Sequence, residues 1–203
     1  MDNLSLAARM FMVSGKIPAL SQGLSFYETP SGEKVNARAL ASHLIAATVA
    51  YLKTTGSLDY RLDEIPAVLG SLPVLVLSRI NGNGNGFERF MLERLDNPKN
   101  LIDVVREVIG GRYQMPEHRI LWLIRSEYPE AEFMRREQVK TLVFSRMETR
   151  WIPEKVSPLV NAWYADLIPW WNYTLNLPWL NTAVRDCNFA YSAMTAQARR
   201  DND

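Results

Sequence analysis

Apolar residues first recur at helical spacing at Leu4, Ala7, Ala8 and Phe11, with Asp2 or Asn3 as the cap and Gly15 as the stop. Residues 17–27 read as a short strand pair or loop, closed by the turn Thr29-Pro30-Ser31-Gly32. The strongest helix of the N-terminal half runs from Ala37 to Lys53 behind Asn36, with Leu40, Leu44, Ile45, Thr48 and Leu52 as its stripe. Gly56 stops it, and residues 57–62 alternate as a half-buried strand does. Pro73 to Ile80 is a second strand, and the alternating Asn and Gly of residues 81–86 make a loop. Phe87 to Leu95 returns to helical spacing. A further helix has Asp96-Asn97 as cap, Pro98 in its first turn and Gly110-Gly111 behind it, with Leu101, Val104, Val105 and Val108 inward.

Pro116 opens another helix that turns Ile120, Leu121, Leu123 and Ile124 inward and ends before Pro129. Phe133-Met134, a polar turn at residues 135–138, and Val139 to Ser145 then suggest a β-hairpin. Residues 37–62 and 116–145 therefore both run from a helix into a strand or hairpin, as a winged-helix unit ends. Glu154 to Ile168 and Trp179 to Ala198 read as two closing helices, followed by a polar tail. The expectation is a compact, mostly α fold with short β-hairpins and winged-helix-like elements. Residues 1–168 would form one domain, with a Trp-rich segment and final helix at 169–203 packed on it or on a partner.

Composition narrows the function. Lys plus Arg is 23 and Asp plus Glu is 22, a formal charge of +1, which argues against a nucleic-acid partner that needs many phosphate-neutralising cations. One cysteine excludes an internal disulfide, and with only two histidines a metal site is not expected. The longest uncharged stretch, Leu167 to Val184, carries two prolines and three asparagines, which are unwelcome in hydrocarbon. The N-terminus has no secretory pattern, so a cytoplasmic protein is expected, membrane-associated only through its surface.

Candidate chemistry is sparse. The Gly82-Asn83-Gly84-Asn85-Gly86 loop follows a strand and precedes a helix, where a phosphate turn would sit, but it misses the dinucleotide spacing and lacks a following Lys-Ser or Lys-Thr. His43 and Cys187 read as buried residues and His118 as solvated, and no nucleophile motif is present. No catalytic residue, cofactor or enzymatic activity is expected. All six tryptophans fall in the C-terminal half, and residues 168–180 read IPWWNYTLNLPWL. Trp170, Trp171, Tyr173 and Trp179 are either a buried corner between the last helices or an exposed patch for a membrane, a protein partner or a second copy of the chain. Arginines gather mildly from Arg112 to Arg150, and Arg119, Arg125, Arg135 and Arg136 would frame an anionic headgroup site if they converge.

Several stretches carry a family resemblance: LSLAARMFMVSGKI, ARALASHLIAATVAYLKTTGSLDY, PVLVLSRINGNGNGFERFMLERLDNPKNLIDVV and HRILWLIRSEYPEAEFMRREQVKTLVFSRMETRWIP. In element order over about residues 4–168, the chain resembles the Golgi phosphoprotein 3 family and its bacterial relatives. The resemblance implies a mostly helical fold, a basic pocket for phosphoinositide headgroups and a β-hairpin used in oligomerisation; eukaryotic members also bind cargo tails. Arg119 matches the family's arginine pair at the start of its helix, Arg112 follows it, and Arg38 matches an arginine near the start of the long helix. The family's tryptophan before that helix has no counterpart here. The implied function is a non-enzymatic peripheral membrane adaptor. The alternative is a winged-helix-like subunit that docks on a larger complex.

Overall fold

The computed structural model describes residues 3–20, 26–67, 70–111, 113–140 and 145–200. Its first helix, α1 (Leu6–Val13), is capped by Ser5, whose hydroxyl accepts from the Ala8 N–H at 3.0 Å. Seven of its eight residues are buried, so α1 lies inside the molecule and not on its surface. The strands β1 (Phe26–Glu28) and β2 (Lys34–Asn36) pair antiparallel around the expected turn, where Gly32 has φ 89°. Asn36 then caps α2 (Ala37–Thr54) through its side-chain oxygen, 2.9 Å from the Ala39 N–H. This second helix is buried on more than its apolar stripe, because Ala41, Ala46, Ala47 and Ala50 let neighbours approach closely from several sides.

A long hairpin follows. Strands β3 (Leu58–Ala67) and β4 (Gly70–Arg79) pair over their whole ten-residue length, from Leu58 opposite Arg79 to Ala67 opposite Gly70. After α3 (Gly86–Leu92), the two-residue β5 (Lys99–Asn100) pairs with Val76 and Leu77 of β4. Asn100 therefore caps α4 (Leu101–Ile109) in place of Asp96-Asn97, and Gly110 closes that helix at φ 65° in the left-handed conformation. The helices α5 (Pro116–Arg125) and α6 (Glu130–Phe133) lead into the hairpin β6 (Met134–Lys140) and β7 (Ser145–Trp151).

Three expectations need correction. More than half of the described residues are helical, but three small antiparallel sheets among them make the chain mixed and not plainly mostly α; the ten-residue β3–β4 ladder, longer than the short hairpins expected, is the largest difference. Arg135, Arg136, Glu137 and Gln138 belong to strand β6 and not to a turn, and residues 141–144 between the strands lie outside the described residues. Arg135 pairs with Glu137, and Arg150 with Glu148, along strands that are mostly exposed. With little of either face buried there is no apolar alternation for a sequence reading to find. Finally, the boundary at residue 168 falls inside α7 (Pro153–Leu175), which runs through Pro158 and Pro169. A helical proline forfeits a hydrogen bond, here offset by Leu167, Trp171 and Thr174, which are buried as α7 packs against α1 and α2.

The last helix, α8 (Leu180–Arg200), packs against α2, α4 and the outer side of β4. There Asp186 Oδ2 accepts from the Leu75 N–H at 2.9 Å, and Arg185 donates to the Pro73 carbonyl. Among the described residues no helix is long and apolar enough to cross a membrane.

Candidate anion-binding site

The N-terminal half of α5 carries the site. Ile120, Leu121 and Ile124 are buried, which turns Trp122 to the outside. Arg119, one turn earlier, places its guanidinium carbon 4.2 Å from the centroid of the Trp122 ring and 5.9 Å from that of Tyr113. Its Nε is buried and has no hydrogen-bond partner in the structure. Tyr113, Gln114, Met115, His118, Arg119 and Trp122 line an open cleft of about 430 Å³. Met115 and Trp122 are 55% and 52% exposed, so a large apolar surface surrounds one cation.

Arg38, at the start of α2, reaches the same end of α5. Its Nε lies 3.6 Å from Oε2 of Glu117, which is 3% exposed. Sequence reasoning singled out Arg119 and Arg38 but missed Glu117, Tyr113, Met115 and Trp122. For Trp122 a signal was available: it falls off the Ile120–Leu121–Ile124 stripe. For Glu117 there was none, because a carboxylate in a first helical turn is usually solvated.

The other arginines do not join them. Arg112 lies outside the described residues. Arg125 is six residues along α5, an advance of about 9 Å. It is held by the β6–β7 hairpin, with Nη2 donating to the Thr149 carbonyl at 3.1 Å and to Met134 Sδ at 3.0 Å, and with the guanidinium 5.3 Å from the Trp151 ring. Arg135 and Arg136 are neighbours on a strand and so face opposite sides. The first pairs with Glu137 at 2.5 Å, and the second stands exposed opposite Thr149. Of the six arginines singled out from the sequence, the five described ones are thus divided, Arg38 and Arg119 at one end of α5 and Arg125, Arg135 and Arg136 at the other.

Of the two readings of the aromatic segment, the buried corner is the one its exposures match. Trp171 is fully buried and Trp179 is 3% exposed, its indole N–H donating to the Tyr60 hydroxyl at 2.7 Å. Trp170 is half-buried edge-on to Tyr51 at 5.7 Å, and Tyr173 alone of the four is exposed. Continuation of α7 through Pro169 causes this, because it carries Trp171 round to the core side of the helix.

The Asn-Gly loop ends in a carboxylate, not a phosphate cradle. Glu127 accepts from the Phe87 N–H at 2.8 Å, and from the N–H and hydroxyl of Ser5 at 2.8 and 2.7 Å. Gly86 is required there, since a Cβ would come within 2.0 Å of Glu127 Oε2. Glu88 accepts from the Leu6 N–H at 2.5 Å and the Asn85 N–H at 3.2 Å. Burial pushes both carboxyls above their usual range. Burial also raises the Cys187 thiol to about 12, which keeps it from acting as a nucleophile, and lowers His43, whose Nδ1 lies 2.7 Å from the Ala39 carbonyl. Among the described residues no group of three His, Cys, Asp or Glu side chains is placed to hold a metal ion.

In comparisons with known proteins, no family model, no curated protein and no solved structure matches this chain.

Proposed function

We propose that this protein is a peripheral membrane adaptor that makes and breaks no covalent bonds. In this reading it binds anionic, phosphoinositide-like headgroups at the N-terminal end of α5, as its resemblance to the Golgi phosphoprotein 3 family implies. The observation that supports this is the placement of Arg119 inside a rim of exposed Trp122, Met115 and Tyr113. A cation suits the headgroup phosphate, and indole and thioether suit the boundary between headgroups and acyl chains. Co-sedimentation with phosphatidylcholine vesicles containing phosphatidylinositol 4-phosphate tests it. Binding at low ionic strength that is released as salt rises is the expected result. A chain left in the supernatant at low salt would sink the proposal.

A second reading, an assembly subunit with winged-helix-like elements, is favoured by one specific observation. The outer margin of β3 has no strand partner among the described residues, and Leu62 beside it is 57% exposed. Light scattering on the purified chain separates the two readings, since a strict monomer at high concentration counts against self-assembly through that margin.

A further inference from the structure

The Asn-Gly loop is a motif that the adaptor reading leaves unused. We infer that Asn83 is a self-modification site: its side-chain amide closes on the Gly84 nitrogen and is converted, with water as the only co-reactant, to an aspartyl or isoaspartyl residue. The inference goes beyond the adaptor reading and does not rest on it. In the first step the Gly84 nitrogen gives up its proton and bonds to Asn83 Cγ, the Cγ–Nδ2 bond breaks, and ammonia leaves with a proton in exchange. Water then opens the resulting succinimide at either of its carbonyls, so nothing is oxidised or reduced. Glycine suits the second position, because the absence of a Cβ leaves its nitrogen open to approach.

The sequence offers three such dipeptides, Asn81-Gly82, Asn83-Gly84 and Asn85-Gly86, and does not rank them. The structure does. Asn81 Nδ2 donates to the Gly56 carbonyl at 3.0 Å and its Oδ1 accepts from the Asn83 N–H at 2.9 Å, so both ends of that amide are held. Asn85 is the N-cap of α3. Its N–H donates to Glu88 Oε2 at 3.2 Å, its carbonyl accepts from the Glu88 N–H at 2.9 Å, and Gly86 behind it packs against Glu127. Asn83 is exposed, and neither its side-chain amide nor the Gly84 N–H makes a hydrogen bond with the described residues. Only its main chain is engaged, with the N–H on Asn81 and the carbonyl accepting from the Ser57 hydroxyl at 2.8 Å. A side chain already bonded must break those bonds before it cyclises, whereas that of Asn83 has none to break. In the isoaspartyl product the main chain runs through the former Cγ and is one methylene longer, which takes the carbonyl bonded to Ser57 out of the main chain. Either product lowers the formal charge by one, from +1 to 0.

Peptide mass spectrometry on the unaltered chain is the test. Tryptic cleavage after Arg79 and Arg89 releases residues 80–89, which hold all three dipeptides in one fragment. The folded chain is incubated for days at mildly alkaline pH, beside the same chain unfolded in guanidinium chloride, and both are then digested. Each conversion adds about 1 Da, and fragmentation of the peptide assigns it to a residue. In the folded chain Asn83 is expected to convert about tenfold faster than Asn81 or Asn85, the worth of the hydrogen bonds those two must break. In the unfolded chain the three rates converge. Equal rates at the three positions of the folded chain, or Asn81 or Asn85 in the lead, overturns the inference. Asn83 left intact in the folded chain overturns it as well, whatever the unfolded chain does. Neither result depends on whether the protein binds vesicles.

Discussion

Arg119 lies against the Trp122 ring and within reach of Tyr113. A guanidinium can lie flat on an indole and still offer in-plane N–H groups to two oxygens; an ammonium cannot. Arg119→Lys is therefore expected to lose nearly as much vesicle affinity as Arg119→Gln, about tenfold, despite keeping its charge. Equal binding by Arg119→Lys and wild type would show that only net charge matters. At this scale the sequence was partly readable. Arg119 was singled out from the run of arginines and from the family resemblance, and Arg38 from the resemblance alone. Glu117 was hidden because burial comes from where α2 and α8 pack on α5, which local sequence does not record.

Among the elements, α7 departs furthest from expectation. The helix was expected to stop at Ile168, before Pro169, yet with Leu167, Trp171 and Thr174 buried as it packs against α1 and α2 it runs on to Leu175. Trp171→Ala removes a fully buried indole and is expected to cost about 4 kcal/mol. Trp122→Ala, at an exposed ring, should leave stability within about 0.5 kcal/mol while weakening vesicle binding. Chemical denaturation of the two variants checks the contrast, and a Trp171→Ala as stable as Trp122→Ala would place the indole outside the core. By contrast α2 was legible in full, because Asn36 and Gly56 bracket an uninterrupted apolar period. The β6 strand was not, because its Arg-Arg-Glu-Gln run lies on a ribbon whose order comes from cross-strand partners and ion pairs.

At the scale of the whole molecule, burial holds one thiol and two phenols protonated into the alkaline range. Burial raises Cys187 from 9.0 to about 12, and Tyr128 and Tyr191 well above 10.0. Above pH 9 the unfolded chain releases these protons while the folded chain retains them, so folding stability falls as pH rises through that window. Thermal melts should show the midpoint dropping between pH 9 and 11, and Cys187→Ala should flatten the first part of that drop. A midpoint unchanged to pH 11 would mean that these groups reach water in the native state. Fold class was legible only coarsely. Helices announce themselves by local period, whereas the length of the β3–β4 ladder depends on a register between residues far enough apart that no single window contains it.

The cap that α8 places on β4 leaves the sheet lopsided. With Asp186 and Arg185 occupying the groups of Leu75 and Pro73, and β5 those of Val76 and Leu77, these backbone groups of β4 are taken on the side away from β3, whereas the outer side of β3 has no strand partner among the described residues. Two copies joined margin to margin there would share one continuous sheet, with an α8 against each β4.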